Sequence, residues 1–179
     1  METMIFKQIQ EIIDGTKTQT RRIVKPGEYS PLTGLISVTH AVRTAEDRLK
    51  WQTGRDYAVS PGRGKPGAMW NGQTQWVLPH SGTHPTESTP RGFQDRGYKP
   101  LRIVITAIRR EPLQSITPED VRAEGVWCDV DYEPLDIGFS PDLHNWDVYR
   151  ALWNDINTRK GTRWEDNPDV WVIEFEVQK

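Results

Sequence analysis

In "LRIVITAIRREPL", Leu101, Ile103 and Ile105 alternate with Arg102, Val104 and Thr106. A hydrophobic period of two requires a β-strand with at least one buried face. "VWVIEFEV" repeats the pattern: Trp171, Ile173, Phe175 and Val177 share one face, and Val170, Val172, Glu174 and Glu176 the other. Strands of this kind need partners and a cover. Two helical signals supply the cover. In "ITPEDVRAEGV", Thr117 suits an N-cap, Pro118 the first helical position and Asp120 a capping box, while Gly125 ends the helix. In "HNWDVYRALWNDINT", Trp146, Tyr149, Leu152, Trp153 and Ile156 form one apolar stripe, read as core.

The N-terminal third adds a second pairing of helix and strand. "IFKQIQEIIDG" carries Ile5, Ile9, Ile12 and Ile13 at helical spacing, with Gly15 at a left-handed cap. "TQTRRIV" follows as a strand, stopped by Lys25-Pro26-Gly27. In an extended chain Thr18, Thr20 and Arg22 share one face, and Gln19 and Arg21 take the other. Lys17 stands at the strand's start on a long stem. "RDYAV" is a short strand, and Asn71-Gly72 suits a hairpin turn within "MWNGQTQWVL". Residues 79–100 are polar and rich in Pro and Gly, and read as an inserted or mobile loop.

Composition excludes several classes. Cys128 is the only cysteine, so the chain holds no internal disulfide and no cysteine zinc cluster, which fits a reducing compartment. His80 and His84 have no clear third ligand, so no metal is expected. No apolar run approaches the roughly 18 residues of a membrane span, and the N-terminus lacks a signal-peptide core. The expectation is a cytoplasmic protein, in the host cytoplasm if phage-encoded. The net charge of −2 conceals an asymmetry: residues 15–110 hold 16 Lys and Arg against 6 Asp and Glu, and residues 111–179 hold 6 against 16. One side can meet an anion while the other supplies carboxylates.

"SPGRGKPGA" tempts a phosphate-loop reading. Val59 stands where the pattern needs glycine and Pro66 where it needs Ser or Thr, so that reading fails. Arg63 and Lys65 remain candidates for phosphate contact, set against an ordinary basic turn.

The spacing of Gly15, Lys17, Thr20 and Arg22 resembles the N-terminal signature of the ASCH domain family. "ITPEDVRAEGV" resembles that family's short helix with a late glutamate, here Glu124, and residues 150–177 resemble the tail of phage-type members. The likeness covers about residues 5–25 and 101–177. It implies an α+β fold: a small PUA-like β-barrel with flanking short helices and a long inserted loop or hairpin. It also implies one domain over residues 1–179, with insertions at about 28–50 and 70–100. Two functional classes follow from the resemblance. One is an amidohydrolase of N(4)-acylated cytidine, with Lys17, Thr20 and Glu124 catalytic and no cofactor. The other acts on RNA, as a non-catalytic RNA- or nucleic-acid-binding module or as a ribonuclease. The partner is then a nucleoside, RNA or another nucleic acid, with no membrane.

The residue types carry that chemistry on their own terms. A threonine hydroxyl needs an adjacent base, and a lysine is a base only when neutral. Burial or a neighbouring cation lowers its pKa, and Arg21 and Arg22 supply cations. Glu124, against the negative end of its helix, goes against local preference and so is a candidate for function. Arg22, on the Thr20 face, suits an oxyanion, a phosphate or a sugar. With Arg21, Arg63 and Lys65 it makes up the candidate binding set. The competing reading is a Lys17–Glu124 ion pair that only braces helix to sheet.

Overall fold

The computed structural model describes residues 3–31, 40–63, 65–71, 76–79, 90–126 and 141–178. The main sheet has five strands: β1 (Thr3–Ile5), β2 (Gln19–Ile23), β5 (Asp56–Ser60), β9 (Arg102–Pro112) and β10 (Asp169–Val177). A β-hairpin, β3 (Ala41–Arg43) and β4 (Leu49–Gln52), lies between β2 and β5 in sequence. Short β6 (Met69–Trp70), β7 (Trp76–Val77) and β8 (Lys99–Pro100) form a third, small sheet. The helices are α1 (Ile9–Ile13), α2 (Pro90–Asp95), α3 (Pro118–Ala123) and α4 (Pro141–Ile156). The fold is α+β.

Strand order in the main sheet is β1-β5-β9-β10-β2. β1 runs parallel to β5, and the other neighbours are antiparallel. β1 and β2 are therefore the two edges. Among the described residues the ladders do not close into the expected barrel, because no pairing joins those edges. The two strongest sequence strands, β9 and β10, lie side by side at the centre, where alternation of apolar residues is most rewarded.

Residues directly opposite one another share a face. Ile173 opposes Thr20 and Trp171 opposes Arg22, on the face that packs with Phe6, Tyr57 and Ile103. Val172 opposes Arg21 and Val170 opposes Ile23, on the face covered by Leu113, Val121, Tyr149 and Trp153. The sheet thus separates two apolar clusters, one beneath α1 and β1, the other beneath α3 and α4. Trp171 is buried at 1% exposure and donates its indole N–H to Glu28 Oε2 at 3.1 Å. A buried indole N–H needs such a partner.

Three expectations change. Ile5 belongs to a strand, not to the first helix: Met4 and Phe6 are buried while Ile5 is 39% exposed, the alternation of an extended chain. The stretch expected as an insertion at about 28–50 holds most of the β3–β4 hairpin. Residues 90–100 contain α2 and β8 where a loop is expected. The hairpin pairing of Trp70 with Trp76 is present, while residues 72–75 of its turn, together with His80, His84 and Cys128, lie outside the described residues.

Candidate functional site

Three backbone contacts fix the start of β2 against α1, the end of α3 and β10. The Lys17 N–H donates to Glu11 O at 2.7 Å, and the Thr18 N–H to Ala123 O at 2.9 Å. On its other side Thr18 O accepts the Phe175 N–H at 2.9 Å. Lys17 and Glu124 thereby form an isolated antiparallel bridge. The approach depends on Gly125, which has φ +75° and whose Cβ would lie 2.9 Å from Lys17 Cβ. Any larger residue is both strained and blocked there.

α3 ends as its sequence dictates. Thr117 accepts from the Asp120 N–H and Asp120 accepts from the Thr117 N–H, closing a capping box. Glu124 is the C-cap. Its carboxylate meets the unfavourable end of the helix, but two cations offset this. Lys17 Nζ lies 3.1 Å from Oε2, and Arg21 donates to Oε1 at 3.3 Å. Lys17 Nζ also donates to the Glu124 carbonyl.

Arg21 carries more than one carboxylate. Its Nη2 lies 2.7 Å from Glu111 Oε1 and 2.9 Å from Asp120 Oδ2, and its side chain is wholly buried. Arg109 braces the same acids from the outside, at 3.0 Å from both Glu111 and Asp120, and also pairs with Glu174. The result is a chain of alternating charge that runs from Arg109 through Arg21 to Glu124 and Lys17. A buried cation is tolerable only when paired and hydrogen-bonded in this way.

The site opens into a cavity of about 650 Å³, lined by Lys17, Thr20, Arg21, Arg22 and Glu124. That volume is typical of a small-molecule pocket. It follows the free edge of β2. The Val24 N–H donates to Asp169 O at 3.0 Å, so in the antiparallel pattern Thr20 and Arg22 exchange backbone bonds with β10, and Arg21 and Ile23 turn theirs outward. Because the cavity wraps an edge, side chains from both faces of one strand reach it. Thr20 is 5% exposed, and no hydrogen bond engages its hydroxyl among the described residues. Arg22 lies over the Phe6 ring, 5.4 Å from its centroid, and donates to Ile5 O.

Burial is the main influence on Lys17 and holds its pKa below the usual 10.5. Glu124 opposes this, and the charge of Arg22 reinforces it. The far wall is apolar and aromatic, with Tyr149, Leu152 and Trp153 of α4. Burial drives the Tyr149 phenol well above its usual 10.0, with the Glu124 charge adding to the rise.

The five candidates on β2 and α3 thus line one cavity. Arg21 faces its carboxylates there, with each terminal nitrogen engaged. Arg63 and Lys65 do not line the cavity; they are exposed on the loop after β5, where Ser60 Oγ donates to Gly62 O at 2.9 Å and to Lys65 O at 3.1 Å. Sequence reading placed Tyr149 in the core stripe and missed it as a wall of the site. The signal was its phenol, which lies in a stripe of otherwise mainly apolar side chains. Among the described residues no group of three His, Cys, Asp or Glu is placed to hold a metal, and no helix is long and apolar enough to cross a membrane.

No protein-family model and no curated protein matches the sequence. Two solved structures are similar in fold. One is protein EF3133 from Enterococcus faecalis V583, described by the family model DUF984, at 14% identity and TM-score 0.43, over 94% of this chain and 67% of that one. The other, at 11% identity and TM-score 0.44, over 94% of this chain and 68% of its own, is an ASCH domain from Lactobacillus crispatus JV V101.

Proposed function

We propose that the cavity is an amidohydrolase site for an N(4)-acylated, cytidine-like nucleoside, with Lys17, Thr20 and Glu124 as the reacting groups. The observation that carries this reading is the Lys17 Nζ–Glu124 Oε2 contact of 3.1 Å on the wall of a cavity that Thr20 also lines. A bracing pair would need neither a cavity nor a neighbouring free hydroxyl.

Neutral Lys17 takes the proton of the Thr20 hydroxyl as Oγ1 bonds to the acyl carbon. The carbonyl oxygen becomes an oxyanion, and Arg22 faces it with the N–H donors that Ile5 leaves free. The intermediate collapses, the C–N bond breaks, and the leaving amine takes the proton from Lys17. Water then attacks the Thr20 ester, losing a proton to Lys17. Thr20 Oγ1 regains that proton as the acid departs. Glu124 holds Lys17 in place and shares its charge throughout. The aromatic wall offers a stacking surface for the base.

Acetate release from N(4)-acetylcytidine tests the reading. Wild type is expected to turn over, and Lys17→Met, Thr20→Val and Glu124→Gln to lose about 10²–10⁴-fold. Absence of acetate from wild type, or equal rates in the three variants, overturns it. Mass spectrometry of Thr20 during turnover separates an acyl-enzyme from direct attack by water. Labelled RNA in the same assay reads strand cleavage, the ribonuclease alternative.

A further inference from the structure

The charge on the cavity wall is lopsided. Among its lining residues Lys7, Lys17, Arg21, Arg22, Lys25 and Lys50 are cations, and Glu124 is the single acid. Lys17 and Arg21 are satisfied by carboxylates at the deep end. The other four cations lie toward β1, β4 and the end of β2. Of these, only Lys50 has a carboxylate partner among the described residues, Glu28. Glu28 is shared: it also accepts the Trp171 indole N–H and the Lys25 backbone N–H, each at 3.1 Å.

Three of these cations, Arg22, Lys25 and Lys50, are close enough to repel. Lys50 is held below its usual range first by burial, and the charges of Lys25 and Arg22 push the same way. Arg22 is tied by its Ile5 contact to the segment that carries Lys7. Lys50 Nζ also sits 3.9 Å from the Trp51 ring centroid, and Trp51 lines the cavity. Like charges gathered on a concave wall are costly alone and focus potential onto an anion. Two other lining residues, Thr20 and Tyr149, are each more than nine-tenths buried, and their hydroxyls engage no partner among the described residues, which leaves both for a ligand that reaches past the cations.

We infer that the ligand of this cavity is phosphorylated, a nucleotide rather than a free nucleoside, with its phosphate among Lys7, Lys25 and Lys50. The nucleoside part rests on the function proposed above, whereas the phosphate subsite rests on the cations alone. A 5′-phosphate at the rim leaves the base against the α4 wall and its exocyclic nitrogen toward Thr20. Lysines suit this task as point charges, and Arg22 stays free for the oxyanion.

Tryptophan fluorescence, with Trp51 and Trp153 in the wall, reads binding of cytidine, cytidine 5′-monophosphate and inorganic phosphate to the intact chain. The monophosphate is expected to bind about tenfold more tightly than cytidine at low salt, and the ratio to shrink at high salt. Lys7→Glu with Lys25→Glu should bring the ratio close to one; both side chains are exposed, and a thermal melt checks the fold. Lys160→Glu, exposed and away from the cavity wall, should leave the ratio intact. Equal affinities in wild type, or a ratio that survives the double variant, overturn the inference and leave the amidohydrolase reading standing. If cytidine and its monophosphate both fail while inorganic phosphate binds through Lys7 and Lys25, the subsite stands and the nucleoside reading falls. If no probe binds, both fall.

Discussion

Two stretches of this chain look alike on paper. Gly15–Val24 and Ser60–Gly67 are both basic, both begin after a short apolar element, and both mix cations with small or hydroxyl residues. Their fates differ. The first is drawn between β10 and the end of α3, so Lys17 and Arg21 are buried against carboxylates. The second turns on itself through Ser60, and Arg63 and Lys65 stay in solvent. A cation acquires unusual chemistry from what faces it and how little water remains, which composition does not encode.

The largest effect expected from breaking this contrast is on turnover. Lys17→Met should abolish nucleoside deacylation by about 10²–10⁴-fold, whereas Lys65→Met should leave the initial rate of acetate release within about twofold. Next comes stability. Arg21→Met strands Glu111, Asp120 and Glu124 around an apolar side chain and should cost about 3 kcal/mol in a urea titration. Arg63→Met should stay within about 0.5 kcal/mol in the same titration. A smaller cost attaches to the glycines. Gly125→Ala meets Lys17 Cβ at 2.9 Å with φ +75° and should lose about 2 kcal/mol. Gly62→Ala meets only Lys65 Cγ at 3.5 Å, an ordinary contact, and should lose under about 1 kcal/mol in the same titration.

The mildest effect is on pH dependence. Folding lowers the Lys17 pKa below 10.5, so between those two values the unfolded chain binds more protons. The Lys17 contribution to stability therefore rises with pH across that window. The rate of deacylation should rise through the same lowered value and level off before 10.5. Above pH 10.0 the raised Tyr149 pKa acts in the opposite sense, because the unfolded phenol ionises first and stability falls. Chemical denaturation across alkaline pH, in wild type and in Lys17→Met, separates the two: the rising limb should vanish in the variant. A rising limb that persists without Lys17 assigns it to another group.

Much of the fold was legible because local signals agreed. The capping box at Thr117 and Asp120, the stop at Gly125 and the alternation of β9 and β10 are each decided within a few residues. The α1–β1 boundary was not, since Ile5 fits a helical stripe as well as an exposed edge position, and pairing with β5 decides between them. The face assignment of Thr20 and Arg22 follows from a period of two and holds in the sheet. What that assignment could not supply is the cavity, which wraps the β2 edge and lets Arg21 reach it from the opposite face. Tyr149 was obscured by the stripe it belongs to.

Sequence alone determined which backbone could form: two central strands, a capped helix that ends at Glu124, and a lysine at the mouth of a strand. Tertiary structure alone decided that Lys17 and Glu124, 107 positions apart, would meet. It also decided that Arg21 would be spent on carboxylates and that Arg63 would not approach the site. The physical reason is range. Caps and alternation act over neighbouring residues, whereas desolvation and charge pairing depend on the distance between groups brought together by a sheet.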